Sequence, residues 1–512
     1  MKNLIKLFLI IRYVSSSLIL LCLAFTFFAC GSGGGGDSIG DGGSGLGGDL
    51  ELEEGQIAIT VTNPEKILSP VDKSVTFKVL VRGLSGPDTI DVVDIDSIDK
   101  SAYGLALSDN TVIVAGENII KIQYDGTTAV AEINPITLDL IITDGESELV
   151  GEPKVVVKIV DGQVKERPIP VTQDNIASFN IYAMQTGASG GLNKHYKLIE
   201  DIDWSLAGTT WTAIGAKGGT TNPNQFTGSF DGSLKKISRI TINNTNSYQG
   251  MFACIGSGAE VKDLGLEDVN ITVTSGGQYV GGVAGRNVFG MVQNCYVTGR
   301  VRGGDGVGGV VGHINGGGSV QNCYTIVDVL GSGGSVGGIV GQAYEGTVQN
   351  CYAAGSVTAS GMCSGGIVGY NQKNLVQNCY AINIVNGSGI YVGGIVGFNY
   401  QGNALVKNCA ALNKIIQTIT SSNPSYIGRV AGKNTNILTN NHARSDMIVS
   451  GKGYVAVIGH DKEDGATITS TEYHVKTWWI NTATFDESVW DIVNDNLPTL
   501  KGVGGTQNPV LP

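Results

Sequence analysis

The segment Gly281 to Val301 reads GGVAGRNVFGMVQNCYVTGRV, and Gly365 to Val385 reads GGIVGYNQKNLVQNCYAINIV. Between Tyr279 and Ala410 this phrase is written five times. Asn-Cys recurs at Asn294-Cys295, Asn322-Cys323, Asn350-Cys351, Asn378-Cys379 and Asn408-Cys409, in steps of 28, 28, 28 and 30 residues. A Gly-Gly-Val/Ile phrase keeps the same time at Gly281, Gly308, Gly337, Gly365 and Gly393. A fixed period of this length marks a solenoid. The units are short runs of Val, Ile, Tyr and Thr interrupted by glycine, and each Gly in a helix interior would cost about 1 kcal/mol relative to Ala. Helical repeats are therefore excluded. The expectation is an all-β chain whose main body is a right-handed parallel β-helix solenoid.

Stacking assigns each repeated letter a place. Coils about 4.8 Å apart put equivalent residues directly above one another, so the asparagines and the cysteines should each form a ladder. Asn suits a corner because it tolerates left-handed backbone and its amide can bond the next Asn in the file. Alternation along the following strand sends Cys295 and Val297 to one face and Tyr296 to the other. The counterparts of Val297 are Thr325, Ala353 and Ala381, all small, so that face is expected inside. Tyr296, Tyr324, Tyr352 and Tyr380 are then expected outside, either packed on one another or open as a ligand platform. The ladder thiols are expected to be free and buried, although an extracellular location would permit disulfides.

The two quoted units resemble the GLUG repeat of bacterial cell-surface and secreted proteins. That resemblance implies an extracellular, adhesin-like solenoid, and it implies no particular ligand or reaction.

Upstream, Lys2, Lys6 and Arg12 precede an apolar segment ending in Phe27-Phe28-Ala29-Cys30. This has the form of a signal peptide, and its ending resembles a lipoprotein processing site. Residues 1–29 are read as the signal and Cys30 as the lipidated residue. Residues 30–55, rich in Gly, Ser and Asp, form a flexible tether. Residues 56–169 carry short strands with sandwich-like spacing and are read as an Ig-like β-sandwich. Residues 170–195 hold a helix, Asn175 to Gln185, read as a cap over the solenoid's first coil. The β-helix is assigned to 196–475, clearest over 279–410, and a C-terminal cap to 476–512. Ala216 to Asn224 and Gln417 to Ser425 are read as insertions. Asn441-His442-Ala443 is aligned with Asn408-Cys409-Ala410.

Removing Lys2, Lys6 and Arg12 takes the basic count from 33 to 30, against 45 acidic residues, a net charge near −15. This argues against nucleic acid as a partner. The expected partners are the membrane, through lipid on Cys30, and an extracellular glycan or a host or neighbour-cell protein. Localisation is expected at the outer membrane, facing outward. No cofactor or metal is expected, and the five histidines show no metal-ligand spacing. The acidic run Asp91, Asp94, Asp96 and Asp99 lacks the glycine turn of a calcium loop. The function expected is display and adhesion without catalysis. The alternative is a β-helix polysaccharide lyase or glycoside hydrolase, with carboxylates converging beside one of the insertions.

Overall fold

The computed structural model describes residues 52–53 and 56–511, apart from 85, 95–102, 109–111, 129–134, 143–147, 152, 188–189, 216–223, 275, 419–425 and 452–453. Cys30 and the signal and tether assignments lie outside the described residues, as does most of each insertion; the same holds for the side chains of the acidic run.

The chain first builds two five-stranded sheets that share one core. Strands such as Ser74–Arg82 alternate exposed and buried positions. Phe77, Val79, Ile120 and Ile122 from one sheet meet Leu138, Leu140, Val155 and Val157 from the other. Most pairs are antiparallel, but Gln56–Thr62 pairs in parallel with Glu148–Val150. So does Glu65–Leu68 with Lys154–Ile159.

Beyond this sandwich the chain winds into a parallel β-solenoid of about nine turns. Two fourteen-stranded sheets and one five-stranded sheet form its walls. One coil illustrates the path: Val307–Gly308 lies in the short sheet, Val311–Gln321 in the first long sheet and Tyr324–Gly331 in the second. Tyr324 to Gly331 pairs without slippage along its whole length with Tyr352 to Ala359, while the register shifts at Leu266/Val269 and at Asn315/Gly318. The interior is a continuous file of Val, Ile, Ala and Cys side chains.

Register explains the repeated glycines. At Gly338 and Gly366 an added Cβ would collide with the carbonyl oxygens of Gly366 and Gly394, one coil further on. The second Gly of the phrase is therefore required by backbone-to-backbone approach, and neither position has a positive φ.

The helix spans Ile176–Tyr182, shorter than expected, and buries Ile176, Phe179 and Tyr182. Phe179 packs on Tyr196, Trp211 and Phe230, so the helix covers the first coil's interior. The solenoid starts earlier than assigned, because Ile169–Val171 already pairs in parallel with His195–Leu198. The Asn175 amide, donating to Asp72 at 2.6 Å, ties this end to the sandwich.

At the other end, His442 pairs with Ala410 rather than with Cys409. Asn440 holds the left-handed corner, and buried Asn441 stands where the cysteines stand. The alignment with Asn408-Cys409 was thus one residue out. Asn441 accepts from the Cys409 amide and donates to the Val406 carbonyl, so its polar group is satisfied inside. After the last strand of the solenoid walls, Ala466–Ile468, the chain does not simply plug the open end. It doubles back along the second long sheet as a strap carrying Trp479, Phe485, Trp490 and Leu500.

Candidate functional site

The asparagines occupy one left-handed corner, with φ between 51° and 54° at Asn294, Asn322, Asn350, Asn378 and Asn408. Amides donate down the file at 3.0 to 3.1 Å, Asn322 to Asn294, Asn350 to Asn322 and Asn408 to Asn378. Cys295, Cys323, Cys351, Cys379 and Cys409 follow, all at most 1% exposed and all free thiols. Burial pushes the thiols of Cys295, Cys351, Cys379 and Cys409 well above the ordinary range, so they are poor nucleophiles.

Tyr296, Tyr324, Tyr352 and Tyr380 point away from the solenoid interior and stack face to face, with centroids 5.0 to 5.1 Å apart and planes within 6°. They are not an open platform. The strap covers them to 3% exposure or less, with Trp490 against Tyr352 and Tyr380. Three of the hydroxyls are spent on it as well, whereas that of Tyr296 donates to Glu267. Tyr324 donates to the Gly504 carbonyl and Tyr380 to that of Pro498. The alternation that turned these rings outward could not reveal a cover supplied from more than a hundred residues away.

A different aromatic face is open to solvent. It lies at the corner between the short sheet and the first long sheet and is made by two stacked columns. Sheet register places Tyr248, Tyr279, Gly306, Ser335, Cys363, Tyr391 and Tyr426 in one column. Arg286, His313, Gln342, Tyr370, Phe398 and Lys433 form the other. The rings interlock across the corner. Tyr279 stacks on His313 at 4.7 Å, Phe398 packs on Tyr391 at 4.4 Å, and Tyr400 packs on Phe398 at 5.0 Å. Lys433 sits 4.5 Å over the ring of Tyr426, which is 47% exposed. Tyr344, Tyr370, Tyr391, Phe398 and Tyr400 are half-buried. Between the two ring clusters Asp305 accepts from the Gly306 and Ser335 amides and from the Gln342 side chain, locking the corner backbone.

Clefts flank both ends of this corner. One, of about 390 Å³, is lined by Trp211, Thr212, Asn244, Ser247, Tyr248 and Gln249 among others. The second, of about 220 Å³, includes Tyr426, Lys433, Tyr454, Glu463 and Asp464. Asp464 is committed to the fold: one oxygen accepts from the Arg429 amide and the Tyr454 hydroxyl, the other from the Val457 amide. Among the described residues no group of three His, Cys, Asp or Glu side chains could hold a metal ion.

Residues 276–302, 332–358 and 388–416 match the GLUG motif model. The chain carries GLUG repeats. The coils between those matches, around Cys323 and Cys379, pair in the same register, so the GLUG geometry runs through unmatched units too. A protein of Evansella cellulosilytica provisionally named a Gly-rich membrane protein is 33% identical over 112 residues, 21% of this chain and 12% of that protein. Halomucin of Haloquadratum walsbyi is 30% identical over 149 residues, 28% of this chain and 2% of that protein. The GLUG chain thus spans a small part of the curated relatives it matches. A Bacteroides ovatus structure provisionally titled an immunoglobulin A1 protease has a TM-score of 0.48 and 17% identity, covering 67% of this chain and 94% of that one.

Proposed function

We propose that this protein is a non-catalytic binding protein of the cell envelope, held by lipid on Cys30 and displaying its aromatic corner to an extracellular glycan. One observation carries the reading: half-exposed rings at outward positions of consecutive coils, at Tyr370, Tyr391, Phe398, Tyr400 and Tyr426. Tyr hydroxyls beside apolar ring faces suit a ligand that is itself half apolar and half hydroxylated. The rungs of a solenoid repeat every 4.8 Å or so, which favours a ligand that also repeats. The net charge near −15 disfavours polyanions, so a neutral polysaccharide fits better than an acidic one. Retention of the full chain on immobilised neutral polysaccharides tests this. Retention on none of them, with capture only by protein surfaces, would transfer the role to protein adhesion.

A second reading has its own observation, the gathering of Glu463, Asp464 and Lys433 at the cleft lined by Tyr426 and Tyr454. Glycosidic cleavage commonly takes two working carboxyl groups. The three donors on Asp464 leave Glu463 as the single uncommitted carboxylate among the described lining residues. Release of reducing ends from a polysaccharide by the wild type, abolished by Glu463→Gln, would favour this reading over simple binding.

A further inference from the structure

We infer that the 390 Å³ cleft at the N-terminal end of the aromatic corner is a site for an uncharged sugar residue, built from the amides and hydroxyls of Asn243, Asn246, Thr210 and Thr212 and the ring of Tyr248. The inference deepens the glycan reading and rests on it.

Among the described residues, the lining contains no Asp, Glu, Lys, Arg or His. An ionised ligand entering it would lose water without gaining a counter-charge, which is costly. A wholly apolar ligand would strand the amides instead. A neutral pyranose fits both constraints, because its hydroxyls donate to and accept from amides while its carbon face lies against an aromatic ring. The volume falls within the few-hundred Å³ range of small-molecule sites.

The cleft is also held in shape from behind. The Trp211 indole N–H donates to the Met251 carbonyl at 2.9 Å, fixing the buried ring. The Gln249 amide donates to the Ser247 and Tyr248 carbonyls and accepts from Asn244, whose own oxygen accepts from the Asn246 backbone. The Thr212 backbone is clamped on both sides by Asn180 of the cap helix. With the rear groups satisfied, the front ones are left over. Among the described residues, the side chains of Asn243, Asn246, Thr210 and Thr212 make no hydrogen bond within the chain, and Asn243, Asn246 and Thr212 are exposed. Because the backbone carrying Thr212 and Asn246 is already held, less freedom is lost on binding.

Tyr248 supplies the link to the corner. Its ring leans on Tyr279 at 5.3 Å, and Tyr279 in turn stacks on His313. It stands at φ +62°, in the column where Gly306 has φ +64°. A non-glycine residue there carries backbone strain. Glycine would satisfy the backbone better, so the ring is retained against the local preference.

The test is equilibrium binding of the full chain to neutral hexasaccharides of gluco, manno, galacto and N-acetylglucosamine configuration, with hexagalacturonate as the acidic counterpart. The variants are Asn243→Ala combined with Asn246→Ala, and separately Tyr248→Gly, which removes the ring while relieving the backbone. Tyr370→Ala reports on the corner alone. The expected result is binding of at least one neutral hexasaccharide, weakened tenfold or more by either cleft variant, with the melting temperature of Tyr248→Gly unchanged or raised. Full binding by both cleft variants alongside weakening by Tyr370→Ala would overturn the cleft assignment and leave the corner reading standing. Cleft-dependent preference for hexagalacturonate would overturn the neutral class. No binding of any saccharide would overturn both.

Discussion

Asn350 shows how one residue type can be chosen by backbone and neighbour together. Its φ of 53° favours Gly or Asn, and its amide donates to Asn322 at 3.0 Å. Replacing it with Ala loses the bond, worth about 1 kcal/mol, and adds about 1–2 kcal/mol of left-handed strain. Asn350→Gly loses only the bond. Denaturant unfolding is expected to rank wild type above Asn350→Gly above Asn350→Ala. The histidines give a second prediction at this scale. Burial, reinforced by His460 beside His442 and by Arg286 beside His313, lowers each of their pKa values to about 4. Above pH 6.5 both folded and unfolded chains keep these rings neutral, so the stabilisation is fully present. Between 6.5 and about 4 the unfolded chain takes up protons that the folded one refuses. Each ring then removes about 1.4 kcal/mol per pH unit as the pH falls. Unfolding of His442→Phe across that window is expected to show the shallower dependence. The ladder residues were legible because the same letter recurs at the same step. The corner rings were not: Tyr370, Phe398, Tyr391 and Tyr426 are split between two columns and absent from some coils, so no repeated letter marks them.

The strap is the element that the sequence places least well. Its Trp and Leu residues identify it as buried, but the tyrosines that bond its Pro498 and Gly504 carbonyls lie 118 and 180 residues earlier, beyond any local pattern. Trp490 touches Tyr352, Tyr380 and Phe485. Trp490→Ala is expected to cost about 3–5 kcal/mol of strap docking. Limited proteolysis should then cut within 469–511 while the solenoid stays resistant; simultaneous loss of both would mean that the strap is integral to the coils. The coils themselves are set by close approach. Gly366→Ala drives a methyl group into the Gly394 carbonyl, and backbone cannot move aside as a flexible side chain can. That variant is expected to lower the melting temperature more than substitution of an exposed glycine such as Gly86, which has open space around it and no positive φ.

Across the whole molecule, one stacking rule generates an apolar interior of ladders, a tyrosine row sealed by the strap and an aromatic corner left open. The solenoid was legible because a single period fixes register over many coils. What it binds was not, because binding depends on which outward column remains uncovered. No helix among the described residues is long and apolar enough to cross a membrane. The attachment proposed above is lipid on Cys30. Cys30→Ala is expected to move the protein from the membrane fraction to the soluble one, and unchanged fractionation would remove the lipid from the account. The central claim concerns the corner. Its most direct measurement is the affinity of the full chain for its best-retained neutral polysaccharide, compared among wild type, the combined variant Tyr370→Ala, Phe398→Ala and Tyr400→Ala, and the strap-covered control Tyr352→Phe. The account predicts a loss of tenfold or more in the corner variant at unchanged melting temperature and no loss in the control; equal affinity in all three proteins would contradict it.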